Sequence, residues 1–380
     1  MCFPFIHSLE KNHYECLVNR DYLDVVCEGS VLRFSCCTTR EVQMYSRLVK
    51  NGKNLQERLF YGFMTNHTFT VKNMSLQNPS FIPCLRLTKL WMSANYLSSS
   101  IPSFIVELLL LSVYEKCSPL NPVRGFLLFL DLLKSFDWSH DILMINTNHS
   151  LTEEKMKEIQ KNLEDKKKEG KATQFIHLVT PYDMDSVSTC ALTEPAVWNR
   201  LCRIASKSLD RISKFYLQMD QKGLSGLFNA STKEFDVVIT IKDEYLTPTT
   251  LTKIMGEKQD NRGIVYTTKE PRNVMLNRSR LLIGYNPEEC IYDAIRKEVG
   301  SAGVVLMNKE YGNQLFISWK PSFFLPLKMS MAGVTDCCPI WKDNETKDDK
   351  KDSMLLVRDV FDLMNRIKRQ LGELVQSVQL

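Results

Sequence analysis

Hydrophobic positions along this chain change period several times, and the changes outline its elements. Residues 22–36 (YLDVVCEGSVLRFSC) hold two Val-, Leu- and Phe-rich arms broken at Glu28-Gly29-Ser30, the pattern of two strands joined by a turn. From Phe81 the period becomes helical: Leu87, Leu90, Trp91 and Ala94 recur at turn spacing through Leu97, with Arg86 and Lys89 facing away. The helical zone resumes over 104–114, interrupted by Glu107 and Ser112.

The stretch NPVRGFLLFLDLLKSFDWSHDILMIN (121–146) places eight apolar residues among the eleven from Phe126 to Phe136. Pro122 suits a first helical turn, and Gly125 stands where a side chain would crowd a neighbour. Asp131 and Lys134 leave only a narrow polar strip, so the helix is expected to be buried. DILMIN then reads as a strand. A charged helix follows, capped by Ser150 with Glu153, or alternatively by Thr152, running to Lys168 with Gly170 beyond. TQFIHLVT reads as a strand, 197–218 as a long amphipathic helix, 235–241 as a strand and 291–299 as a helix. AGVVLM and NQLFISW form a hairpin, 342–353 a charged linker, and 354–378 a final amphipathic helix.

Composition narrows the class. A hydrophobic share of 44% and a charged share of 24% suit a soluble globular chain of two or three domains. The net charge of +5 permits contact with RNA without demanding it. Both long apolar zones fall short of the ~20 residues that span a bilayer, and 1–16 has no basic leader, so no membrane association is expected. Twelve scattered cysteines, including Cys36-Cys37 and Cys337-Cys338 but no Cys-x-x-Cys, are expected as free thiols in a reducing compartment. Asn66 and Asn229 are then chance glycosylation matches.

Candidate chemistry is sparse. Asp183 and Asp185 follow a strand directly, and such a pair can hold Mg²⁺ for nucleotidyl transfer or nuclease chemistry. No Gly-Ser turn precedes them, and neither Gly29-Ser30 nor Gly300-Ser301 leads to an Asp-x-Asp, so a solvated loop is the plainer reading. No phosphate loop, dinucleotide fingerprint or nucleophile elbow is present. His7 and His13 lie near Cys2 and Cys16 at no zinc-like spacing, and His177 sits in an apolar strand as a satisfied core residue. Lys166, Lys167, Lys168 and Lys171, with Arg366, Lys368 and Arg369, are candidate phosphate contacts; a solvated helix face is the simpler alternative. No catalytic residue, cofactor or metal site is assigned.

Several of these segments carry a family likeness. LTKLWMSANYLSSSIPSFIVELLL, the stretch 121–146 and LVTPYDMDSV resemble, in order and spacing, segments of the Nrap (nucleolar RNA-associated protein) family. EFDVVITI, LLIGYNPEEC, FISWKPSFFLP and LGELVQSVQ resemble its last domain. The likeness covers the chain from about Asp21 and matches only the family's C-terminal portion. It implies an α+β fold: 1–75 as the tail of a nucleotidyltransferase-like domain, 76–220 as a helical domain like those of poly(A) polymerases and oligoadenylate synthetases, and 221–380 as a terminal α+β domain with a C-terminal helix.

The resemblance also implies a non-catalytic scaffold of the small-subunit processome in the nucleolus. The implied partners are pre-ribosomal RNA, a small rRNA-processing protein and casein kinase 2, with transfer RNA as a further RNA. It gives Asp183 and Asp185 no metal role. Three positions depart from the family pattern: Ser188 replaces a Trp, Leu306-Met307 an aromatic pair, and a lone Gly312 a Gly-Gly.

Overall fold

The computed structural model describes residues 15–18, 23–27, 30–34, 40, 62–147, 149–168, 175–192, 194–218, 226–242, 287–308, 313–328, 337–340 and 355–379. The expected linker 342–353 lies outside them, as do Cys36-Cys37, His7, His13 and Gly312. The chain divides into two compact units. One comprises 39–238 with 301–323 and the terminal Leu380; the other comprises 1–38, 239–300 and 324–379.

The first unit is built on helices α1 (Thr65–Gln77), α2 (Phe81–Ala94), α3 (Ser103–Cys117), α4 (Pro122–Ser135), α5 (Glu153–Lys168) and α6 (Pro195–Gln218). Helix α4 begins where the proline predicts: Pro122 occupies the first turn and the Asn121 side chain accepts the Val123 N–H at 2.8 Å. It buries Gly125, Phe126, Phe129, Leu130 and Leu133. Phe126 and Phe129 meet the fully buried Trp91 edge-on, and the Trp91 indole donates to Ser208 Oγ at 3.1 Å, tying α2 to α6.

The apolar face of α2 is rotated from the expected one. Phe81, Cys84, Leu85, Thr88, Trp91 and Met92 are buried, whereas Leu90 is 49% exposed. The two strands expected after α4 and α5 shrink to two residues each, β4 (Leu143–Met144) and β5 (Leu178–Val179), paired in parallel. Their apolar flanks are buried by the helices, so little ladder is needed to hold them. Of the two candidate caps for α5, Thr152 does the capping: its hydroxyl accepts the Lys155 N–H at 3.4 Å. Helix α1 has almost no apolar periodicity, and sequence patterning did not predict it.

The predicted hairpin forms from β7 (Gly303–Met307) and β8 (Gln314–Trp319), antiparallel, within this same unit. Ser93 donates to Asn308 at 2.6 Å, and the Met307 N–H donates to Ser99 Oγ at 3.0 Å. Leu306 and Phe316 join the helical core.

The second unit holds β1 (Glu15–Val18), β2 (Leu23–Cys27) and β3 (Ser30–Phe34) as an antiparallel meander; the two strands expected over 22–36 form and pair, with Ser30 inside β3. The strand β6 (Val237–Ile241) straddles the division of the chain. Helices α7 (Pro287–Val299) and α8 (Val360–Leu371) pack together, and β9 (Leu327–Lys328), β10 (Cys337–Ile340) and β11 (Leu355–Arg358) form a small sheet in the order 10-11-9. The single final helix expected over 354–378 is instead β11, α8 and β12 (Val375–Gln379). Asp359 starts α8 by accepting the Phe361 N–H at 2.8 Å, and Gly372, at φ +52°, stops it.

Candidate functional site

The Asp183-Met184-Asp185 segment follows β5, where a metal-binding pair would stand. Thr180 and Asp183 bond each other's backbone, closing a tight turn at 3.1 and 3.3 Å. The Asp183 carboxylate reaches forward to the next turn: Oδ1 accepts the Val187 N–H and Oδ2 the Ser188 N–H, both at 2.8 Å. Asp183 is 7% exposed. Burial pushes its carboxyl up from the ordinary range, and the two N–H bonds oppose that rise. Both oxygens are thus engaged in holding the 3₁₀ turn Val187–Ala191, while Asp185 lies on the surface. Ser186 is left-handed at φ +54°, and its hydroxyl accepts the Leu178 N–H at 2.8 Å, locking the turn onto β5. Ser188, where the resemblance leads one to expect Trp, is fully buried. Among the described residues, no three His, Cys, Asp or Glu side chains cluster as metal ligands would.

Directly beside this turn is a polar cluster that sequence patterning did not predict. Glu107, the break in the apolar run of α3, accepts from His67 Nε2 at 2.8 Å, Lys89 Nζ at 2.6 Å and Ser103 Oγ at 3.1 Å. A carboxylate only accepts, so Nε2 of His67 bears the proton; in the neutral ring Nδ1 then accepts from the Tyr182 hydroxyl, 3.2 Å away. Phe63 stacks on the imidazole with centroids 5.1 Å apart, and Phe104 closes its edge. His67 is 1% exposed. Burial alone would raise Glu107, but the His67 and Lys89 hydrogen bonds outweigh it and bring the carboxyl to about 2. Burial also holds the Tyr182 hydroxyl well above its ordinary range. The cluster ties α1, α2 and α3 through charge-assisted bonds to Glu107 and reaches the Asp183 turn through Tyr182. Lys89, expected to face away, is one of its members. The legible signal was Glu107, a lone carboxylate in an apolar helix; what it would meet was not legible.

The candidate phosphate contacts fall in different places. Lys168 is exposed at the end of α5; the side chains of Lys166 and Lys167, and all of Lys171, lie outside the described residues. Arg366, Lys368 and Arg369 share α8 in the other unit, where Lys368 and Arg369 are exposed and Arg366 sits 3.9 Å from Glu298. His177 is buried at 1% exposure beside β5, and its carbonyl accepts the Leu143 N–H. Cys16, Cys84, Cys117, Cys202 and Cys290 are free thiols. Among the described residues no helix is long and apolar enough to cross a membrane.

Two family models match in tandem: "Nrap protein PAP/OAS1-like domain 5" over residues 78–230 and "Nrap protein domain 6" over 232–378. The chain belongs to the Nrap family. The first Nrap match contains the helical core from α2 to α6, and the second runs from β6 into β12. Curated relatives agree. Nucleolar protein 6 of Xenopus tropicalis is 25% identical over 337 residues, covering 84% of this chain and 29% of the relative. Nucleolar protein 6 of Xenopus laevis is 24% identical over 90% of this chain and 30% of its own length. Nucleolar protein 6 of Homo sapiens is 22% identical over 83% and 28% respectively. This Nrap chain therefore spans under a third of the length of the curated relatives it matches.

Proposed function

We propose that this chain works as a non-catalytic scaffold in ribosome biogenesis, associating with pre-ribosomal RNA during assembly of the small-subunit processome. Its compartment is the nucleus and nucleolus, that of the relatives called Nucleolar protein 6. The observation that carries the non-catalytic reading is Asp183. A metal-holding carboxylate must present its oxygens to the ion, and here both are committed to backbone N–H groups of the next turn. The helical core packs α4 against α2, α3 and α6, a body suited to presenting a surface for assembly. The protein partners proposed are a small rRNA-processing protein and casein kinase 2, with transfer RNA as a further RNA ligand.

Crosslinking in nuclear extract followed by tagged purification tests the reading: pre-ribosomal RNA and processome proteins should co-purify. A clean protein without RNA or partners overturns it. Asp183→Ala separates scaffold from enzyme. Two buried N–H groups lose their acceptor, so urea denaturation should show a loss of about 1–2 kcal/mol. Nucleotide incorporation and RNA cleavage with Mg²⁺ should be nil before and after the change; Mg²⁺-dependent turnover that collapses in the variant would make this an enzyme instead.

A further inference from the structure

Helix α6 carries five cations, Arg200, Arg203, Lys207, Arg211 and Lys214, against one carboxylate, Asp210. That leaves +4 on one helix of a chain whose whole net charge is +5. At 3.6 residues per turn the five cations fall within an arc of about 80°, in a row about 21 Å long. The adjoining face is the buried one, with Val197, Trp198, Leu201, Ala205 and Ser208 in the core. Arg203, Lys207, Arg211 and Lys214 are exposed.

A solvated helix normally intersperses signs, as α5 does with Glu153, Glu154, Lys155, Lys157, Glu158, Lys161 and Glu164. In α6 the like charges at 203/207 and 207/211 are four apart, and those at 200/203 and 211/214 three apart. Each such pair costs a helix roughly 0.2–0.5 kcal/mol. Compensation is partial. Glu234 lies 3.5 Å from Arg200 and 3.2 Å from Lys207, and Arg200 is further fixed over the Phe235 ring at 4.6 Å. Asp210, the helix's own carboxylate, sits 3.6 Å from Lys134 on α4. Arg211 donates to the Gly226 carbonyl, a neutral acceptor. Among the described residues the row therefore keeps a net positive charge, at some cost to the helix.

We propose that this row is a phosphate-binding surface for RNA, its cations standing on Cβ atoms about 5–6 Å apart and tracking successive backbone phosphates. It rests on the RNA-association reading above and gives that reading a place on the molecule. The row reads backbone charge, not base sequence.

The test is fluorescence anisotropy of a fluorescein-labelled, mixed-sequence single-stranded RNA 20-mer titrated with the full chain. Three proteins are compared: wild type, Arg203→Gln/Lys207→Gln/Lys214→Gln, and a Lys155→Gln/Lys157→Gln control on the exposed face of α5. Between about 50 and 300 mM KCl, losing three phosphate contacts should lower the slope of log K against log salt by about 2. Affinity at the low-salt end should fall tenfold or more, while the control stays within about twofold. The triple variant should melt no lower than wild type by circular dichroism, because like-charge repulsion in the helix has been relieved. Wild type that binds while the triple variant binds equally well overturns the row and leaves RNA association standing. Wild type that binds no RNA overturns both. Wild type that takes up polyglutamate in place of RNA overturns the proposal by assigning the row to an acidic protein.

Discussion

Glu107→Gln is expected to lower the unfolding free energy by about 3 kcal/mol at neutral pH, and by progressively less as the pH falls from about 5 toward 2. The reasoning starts from what the carboxylate touches. Three donors converge on it, from His67, Lys89 and Ser103, and its side chain is only 17% exposed. These bonds bring its carboxyl from 4.5 down to about 2. A depressed folded-state value means the folded protein holds the ionised form better than the unfolded chain does. That contribution is complete above about pH 4.5 and disappears as the carboxylate protonates in the folded state near 2. Glutamine keeps the shape but offers a neutral oxygen and a donor where the carboxylate only accepted. Urea titrations of both proteins at pH 7, 5 and 3 check the expectation. A stability gap that stays constant across that range would mean the residue acts through packing and not through charge.

Gly125→Leu is the second large effect, an expected loss of about 3 kcal/mol with some risk to folding yield. Even a bare Cβ at this position would lie 2.8 Å from Cys84 Sγ and 2.9 Å from the Tyr114 hydroxyl. Neither neighbour can retreat easily. Cys84 is fully buried on α2, and Tyr114 bonds Ser80, which itself donates to the Pro119 carbonyl. Gly125→Ala sets two effects against each other. Helix propensity favours alanine by about 1 kcal/mol, and overpacking opposes it by about 1–3 kcal/mol. Overpacking wins because Cys84 Sγ and the Tyr114 hydroxyl are held on two other helices, so Gly125→Ala should be mildly destabilising. Thermal unfolding of wild type, Gly125→Ala and Gly125→Leu should fall in that order; an alanine variant more stable than wild type would show that α4 can shift to make room.

The same residue illustrates what was legible in advance. That a glycine inside an otherwise apolar helix marks a close approach follows from the sequence alone, and so do Pro122 at the helix start and the two strands β2 and β3. Periodicity located α2, α4, α6 and the β7–β8 hairpin because each has a buried face, and burial is what the hydrophobic pattern records. An apolar run interrupted only by Glu107 and Ser112 located α3, which is buried nearly all round. It failed where that record is weak. Helix α1 is polar almost throughout and exists because His67 and Met74 reach a core built by other helices. The end of α8 was overrun because the apolar spacing of β12 continues the helical pattern, while a single φ at Gly372 breaks the backbone.

The site divides in the same way. Asp183 and Asp185 could be singled out from their position after a strand, yet only the fold decides that Asp183 turns inward to two N–H groups. The five cations of α6 were present in the sequence, but without knowing which helix face is buried they read as an ordinary amphipathic surface. The residue pattern by itself determined the class of this protein, its helical core and its family. The tertiary structure alone decided which charges meet. Hydrophobic burial is a property each residue carries into any fold, whereas a hydrogen bond between Glu107 and His67, 40 positions apart, depends on where the chain brings them together.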